Sequence, residues 1–496
     1  MSARVVVPVA FLVLACLLWR AYAEAPPTIE PRGASPAAAK SPAPLGAQGC
    51  SATGCHGHPV ANSLTSSPED SCWRSASTHW QAVDPHRSAY AVLDSTLAKD
   101  IVTRLARGDS SWRSPHDSRC LACHTNPALA SDDAAAAFGI SKESLTRLRS
   151  EGVSCEACHG NASNWLVPHL QWNSPVARTA DHASVGFAPL FDLGQRALAC
   201  AGCHVGAPAH GDTPARDMNH DMIASGHPRL NFDFAEYQRR LPPHWLEKNG
   251  DPQAKEKWPS VQNTPGVESR AWLIGTIAKA EAASRLLADR AKRSRLEIAA
   301  APWPEFSESN CYACHHNLLP DSWRRADPSY LQGRNPGSAS WQTLWPFQAS
   351  IDLQRELPEW KGAASQKALN ALLHTHRADA SAVQSAATTL ADEFRSARIA
   401  LAAKNEAQSK QILLHLLKGD ALSNTRPLDW DEAGQAYLAF LSYLRDGPDA
   451  ARKLLESKHL TPLGESLRFV PGSSSPGLFE PRRIRDRFQQ LRGELP

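Results

Sequence analysis

The chain has 496 residues, 42% hydrophobic and 21% charged, a globular balance that excludes wholesale disorder and leaves room for about two to four domains. Its formal charge of +3 is too near neutral for a general nucleic-acid binder. The unusual usages are 20 His and 12 Cys against only 3 Met.

Residues 1–23 read as a secretory signal. Arg4 supplies a positive start, Val5 to Trp19 is an apolar run broken only by Pro8, and Ala21-Tyr22-Ala23 offers the small residues a signal peptidase reads. The run is shorter than the roughly 20 residues needed to span a bilayer. The expectation is a cleaved leader, Cys16 discarded with it, and a periplasmic or otherwise exported protein. Left uncleaved, the same segment would associate the chain with the membrane. Its removal takes Arg4 and Arg20 and no acid, which lowers the formal charge to +1. Residues 24–48 are rich in Pro, Ala and Ser and lack the large apolar side chains a core needs, so they read as a linker.

From 49 to about 330 one pattern recurs. Cys120-Leu-Ala-Cys123-His124, Cys155-Glu-Ala-Cys158-His159, Cys200-Ala-Gly-Cys203-His204 and Cys311-Tyr-Ala-Cys314-His315 are strict copies, and Cys50-Ser-Ala-Thr-Gly-Cys55-His56 is a stretched relative. Two cysteines two residues apart with a histidine directly after are the attachment signature of haem c. The thiols add to the two porphyrin vinyl groups, and the histidine then lies under the ring as proximal iron ligand. About five haems follow, with His56, His124, His159, His204 and His315 proximal. Structural zinc is the competing use of paired cysteines, but a histidine after every second cysteine argues against it.

Six-coordinate iron needs a second axial ligand. Met/His ligation is one common solution, yet after leader removal only Met218 and Met222 remain, too few for five irons. Most sites are therefore expected to be bis-histidine and low in potential. The best-placed distal candidates are His86 in Asp84-Pro85-His86, His169 in an apolar setting after the third motif, and His220 and His227 seven residues apart. His58, His79, His116, His182, His210, His244 and His316 are weaker candidates. Cys72 is left over, free or paired with Cys50 if the stretched motif does not hold a haem normally.

The segments between motifs are loop-like, as expected where porphyrins supply the apolar core. The exception is Ser269 to about Lys292, where Leu273, Ile277, Ala280, Ser284 and Leu287 recur at helical spacing.

Gly152-Val-Ser-Cys-Glu-Ala-Cys-His-Gly160 with Asp84-Pro-His86 resembles the multihaem cytochromes typified by the tetrahaem electron acceptor of hydroxylamine oxidoreductase. The stretch Asn219 to Phe232 and Asn310-Cys-Tyr-Ala-Cys-His-His316 look like a larger branch of that family. The resemblance covers about 49–325 and implies closely packed, mostly bis-histidine haems that exchange electrons. A fifth motif, a long first motif and a helical extension depart from the tetrahaem type.

Residues 331–362 read as a linker, 363–469 as a helical domain, and 470–496 as a tail. Within the helical domain, Lys367–His376, Ala380 to about Lys404 and Ala407–Lys418 are rich in Ala and Leu with apolar stripes. A helix also opens near Asp429-Trp-Asp-Glu432 and closes at Gly447-Pro448. His374, His376 and His415 read as surface residues of this bundle. The expected fold is mainly α with extensive loops: a multihaem domain organised around stacked haems, plus a C-terminal helical domain. The expected function is electron transfer with redox partner proteins and no nucleic acid. The alternative is an oxidoreductase with one open-coordination haem acting on a small nitrogen or sulfur compound.

Overall fold

The computed structural model describes residues 42–59, 75–172, 182–241, 267–296, 302–307, 349–358, 360–375, 378–419, 430–447, 454–456, 459–469 and 479–495. The leader, most of the first linker, Cys72, His244, His376, the fifth motif with His315, and His316 lie outside them. Among the described residues the regular elements are helices, joined by turns and loops, and the only β pairing is two isolated antiparallel bridges, Ala207 to Arg216 and His210 to Thr213.

The first half is built from short helices: α1 (Ala76–Val83), α2 (Thr96–Leu105), α3 (Ser118–His124), α4 (Asp132–Ala137), α5 (Lys142–Ser150), α6 (Cys155–His159), α7 (Leu193–His204), α8 (His220–Ala224) and α9 (Phe234–Arg240). Helices of one to three turns leave most of their end groups without intrahelical partners. Side-chain caps meet part of that need here: Ser95, Asp117, Ser131, Ser141, Asp192, Asn219 and Asp233 each accept from a backbone N–H of the helix they precede. The apolar contacts beneath them are small and separate. Ile101, Val102, Leu105, Trp112 and Met222 form one group, Leu93, Leu121, Ala122 and Ala130 a second, and Leu129, Ala135, Leu145 and Leu148 a third.

The second half is different. α10 (Val267–Arg295) is followed by α11 (Ala349–Glu356), α12 (Gly362–Leu373), α13 (Ala380–Ala402), α14 (Glu406–Lys418), α15 (Trp430–Arg445), α16 (Leu460–Ser466) and α17 (Pro481–Glu494). One continuous cluster joins α10 to α17 and reaches back to Ala197, Ala201 and Val205 at α7 and to Phe232, Phe234 and Ala235 at α9. α10 is buried on nearly every side, including Trp272, Ile274, Ala278, Ala283 and Leu286, the pattern of a helix enclosed by others. At Gly275 an added Cβ would lie 2.4 Å from Cβ of Phe234, so only glycine permits this approach of α9. Buried ion pairs cross the same contacts: Glu281 with Arg398 at 2.8 Å, and Asp217 with Arg290 at 2.6 Å. Among the described residues no helix is long and apolar enough to cross a membrane.

Two sequence boundaries need correction. The linker expected at 331–362 contains α11, and Leu353, Leu357 and Trp360 are buried. The tail expected at 470–496 contains α17, whose Ile484, Phe488, Leu491 and Leu495 are buried in the large cluster. In both segments an apolar stripe at helical spacing outweighs a composition rich in turn formers or arginine. α10 also crosses the expected division near 330: it precedes that point in the chain yet packs chiefly against α13.

Candidate haem sites

Each strict motif among the described residues occupies the last turn of a helix: Cys120–His124 ends α3, Cys155–His159 is all of α6, and Cys200–His204 ends α7. A helical turn places residues three and four apart on one face, so both thiols and the imidazole meet the same side. The stretched motif reaches a related arrangement by another route. The N–H of His56 donates to the carbonyl of Cys50 at 3.3 Å, while those of Cys55 and Gly57 both donate to Ala52. The two extra residues are taken up in a tight turn, and the first cysteine and the histidine stay linked. A Cβ at Gly57 would lie 1.9 Å from the carbonyl oxygen of Ser51, so this turn requires glycine there.

Three motif histidines face a second histidine across a gap. Ring centroids are 6.4 Å apart for His56 and His169, 6.1 Å for His86 and His204, and 6.3 Å for His124 and His227. The three distances lie within 0.3 Å of one another. An imidazole–metal bond is about 2 Å and the nitrogen sits about 1 Å from its ring centroid, so two imidazoles on opposite sides of one metal have centroids about 6 Å apart. The residues therefore fit a bis-histidine haem at each pair.

The other ring nitrogens are also engaged. Nδ1 of His124 is 2.6 Å from the carbonyl of Ala89 and that of His227 is 2.9 Å from Pro228 O, while Nδ1 of His169 bonds the carbonyl of Leu166. Nδ1 of His86 instead meets the carboxylate Oδ1 of Asp84 at 2.9 Å. An Nδ1–H held in this way leaves Nε2 free as the metal donor. Burial pushes the pKa of His204 down to about 4, helped by the nearby charge of His86, and burial also lowers His124 and His227. Neutral imidazole is the ligating form. His86 is raised by its bond to Asp84.

The thiols show which sites adjoin. Cys50 and Cys155 lie close enough to perturb each other, Cys155 raised and Cys50 lowered, and so do Cys123 and Cys203, Cys123 raised and Cys203 lowered to about 7. Burial drives Cys158 up to about 12, with Cys200 and Cys203 close enough to add to it. Among the described residues no three or more His, Cys, Asp or Glu gather to hold a metal ion together.

Other candidates are distributed as follows. The backbone N–H of His220 donates to Glu305 at 2.8 Å, and its ring lies 6.5 Å from Phe306. The ring of His159 stacks with Phe187 at 6.1 Å. His182 stacks on Trp172 at 3.7 Å. His116 sits beside Tyr90 and His415 bonds Glu356, neither against a motif histidine. Met222 and Met218 pack with Ile101 and Val102. His79 is more telling than its sequence context indicates, because its Nε2 is buried without a hydrogen-bond partner in a helix held to His56 by the N–H of Ser77 and to Val153 by the indole of Trp80.

Two carboxylates were not singled out as structural anchors in the sequence reading. Glu156, inside the third motif, is 3% exposed and accepts from the N–H groups of Leu45, Gly46 and Ala162. It ties the strand of chain leading to Cys50 onto the third site. Asp84 accepts from both the backbone N–H and the ring of His86.

Residues 70–160 match the family described as cytochrome c554 and c-prime. No curated protein and no solved structure matches the chain. Over those residues the chain is similar to a family of c-type cytochromes.

Proposed function

We propose, from this similarity and the recurring motif, that the chain is an exported electron-transfer protein with about five haems, most of them held between two histidines. The observation that carries the reading is the set of three histidine pairs with centroids 6.1 to 6.4 Å apart, each containing one motif histidine. Haem c, when bound, supplies a one-electron iron couple. The protein's part is to fix both axial imidazoles and to hold their outer nitrogens. Its thiols set the order of the sites.

His56, His124 and His204 serve as proximal ligands opposite His169, His227 and His86. His159 and His315 are proximal at the third and fifth sites, and His220 and His79 are further distal candidates. Cys50, Cys55, Cys120, Cys123, Cys155, Cys158, Cys200, Cys203, Cys311 and Cys314 form the thioethers. The thiol neighbours support a relay in which the first site adjoins the third, the third the fourth, and the fourth the second. Redox proteins are the partners, reached outside the cytoplasm once residues 1–23 are removed.

The test is the intact mass of the purified protein together with its electronic and EPR spectra. Five haem additions and only low-spin signals are expected. A high-spin signal that shifts on adding nitrite or hydroxylamine would replace transfer by catalysis, and a mass without haem would end the reading.

A further inference from the structure

The outer nitrogens of the paired histidines are not treated alike. His124, His169 and His227 each place Nδ1 on a backbone carbonyl, a neutral acceptor. His86 places it on a carboxylate. Local sequence builds that exception. Asp84 caps the short turn Pro85–Ser88, Pro85 fixes the backbone angle at its start, and Oδ1 of Asp84 accepts from the backbone N–H and the ring of His86, both at 2.9 Å. One oxygen thus locks the residue and its ring together.

The carboxylate has little water to spread its charge, since its side chain is 6% exposed. The opposite imidazole, His204, is enclosed by Phe232 and Tyr237, with centroids at 5.6 and 4.9 Å. A carboxylate that accepts a hydrogen bond from Nδ1–H of a ligating imidazole would make Nε2 a stronger donor, and its negative charge would favour the more positive state of the metal. From a buried carboxylate that influence is less screened than from an exposed one.

We propose that Asp84 is a positioning residue that holds down the reduction potential of the haem between His86 and His204, setting this station apart from the one at His124. The proposal rests on the bis-histidine reading above. By the thiol neighbours this station lies inside the relay, between the third and second sites. A depressed potential there makes it a step that electrons cross rather than a place where they collect.

The experiment is a spectroelectrochemical titration of the full haem-loaded protein and of Asp84→Asn, with haem number from intact mass and spin state from EPR. Asparagine retains an oxygen to cap the turn but loses the charge. The expected result is an unchanged number of haems, all low-spin, with one wave moved upward. About a tenfold change in that centre's oxidised-to-reduced ratio corresponds to about 59 mV for one electron. If every haem is present and low-spin and no wave moves, or the moved wave falls, the proposal is wrong while the transfer reading stands. If the wild-type protein carries no haem, it is the transfer reading that fails. Asp84→Ser, which also retains a capping oxygen without charge, supplies the same readout should the asparagine variant not fold.

Discussion

The two halves of the molecule hold themselves together by different means. Between residues 75 and 172 the apolar side chains form small separate groups, one of them shared with Met222, and the helices are short. From Val267 onward, long helices share one cluster closed by Trp272, Phe394, Phe440 and Phe488, each at most 1% exposed. Burial of apolar surface dominates folding energetics. The second half supplies enough from its own side chains. On the proposed reading, the first is completed by haem held on its cysteines and histidines. The lesson is that a stretch which looks poor in structure signals is not a stretch without a core.

The sharpest way to break this comparison is to withhold haem. Made without attachment, the full chain is expected to become protease-sensitive throughout 75–192 while α13 to α15 stay protected, as read by mass spectrometry of the fragments. Equal protection of both halves would show that the first half packs unaided. A narrower change is Gly57→Ala. The clash with the carbonyl of Ser51 is expected to open the turn that links Cys50 to His56, and the intact mass should fall by one haem with the others retained. A full complement would sever the link between that turn and attachment.

The mirror experiment lies in the second half. Phe394 is 1% exposed and packs against Trp360, so Phe394→Ala is expected to cost about 3–5 kcal/mol of stability and no haem. Denaturant unfolding followed by the helical signal checks the first part and intact mass the second. Loss of haem in this variant would mean that the halves fold as one.

How much of this was legible in the sequence follows the same division. The helices Ala380–Ala402 and Glu406–Lys418 stand within about two residues of where Ala and Leu content and apolar stripes put them. Propensity and periodicity act over neighbours, so a window of sequence contains them. The haem motifs are legible for the same reason. The partner of His56 is not, because His169 reaches it only through the fold. Met scarcity narrowed the choice to histidine, and the chain's path made it His169. The anchoring role of Glu156 is not legible either, since its three N–H donors come from Leu45, Gly46 and Ala162. α17 was hidden by its arginines, although Ile484, Phe488 and Leu491 carry a helical period.

A pH test separates the halves by another route. Glu268 opens α10 with one carboxylate oxygen buried and unbonded, Arg445 standing 3.9 Å away. Burial drives its pKa from 4.5 to about 7, with Arg445 opposing and Asp446 adding to the rise. Between those values the native state holds a proton that the unfolded chain does not, so stability falls as pH rises and the loss is complete above about 7. At 1.36 kcal/mol per unit the loss is at most about 3 kcal/mol. Glu268→Gln is expected to remove this slope and to be the more stable form at pH 8, as measured by denaturant unfolding at pH 5 and pH 8. Identical slopes in the two proteins would refute the assignment.

The smallest expected effect concerns caps, which both halves use. Asn405 begins α14 with a reciprocal pair: its side chain accepts from the N–H of Gln408 at 2.9 Å, and the Gln408 side chain accepts from the N–H of Asn405 at 3.0 Å. Replacing such a cap by alanine costs about 1 kcal/mol. α14 spans 13 residues and buries Ile412, Leu413, Leu416 and Leu417, so Asn405→Ala is expected to lower stability by that amount and leave the helix formed. The equivalent change at Asn219 meets a helix of 5 residues whose only buried side chain is Met222. With so little packing behind it, the cap there decides whether the turn forms at all. Asn219→Ala is therefore expected to disturb the axial histidines nearby, read as a changed low-spin EPR signal, while Asn405→Ala leaves every signal in place. An unchanged spectrum in Asn219→Ala would mean that the ligands, and not the caps, hold the short helices.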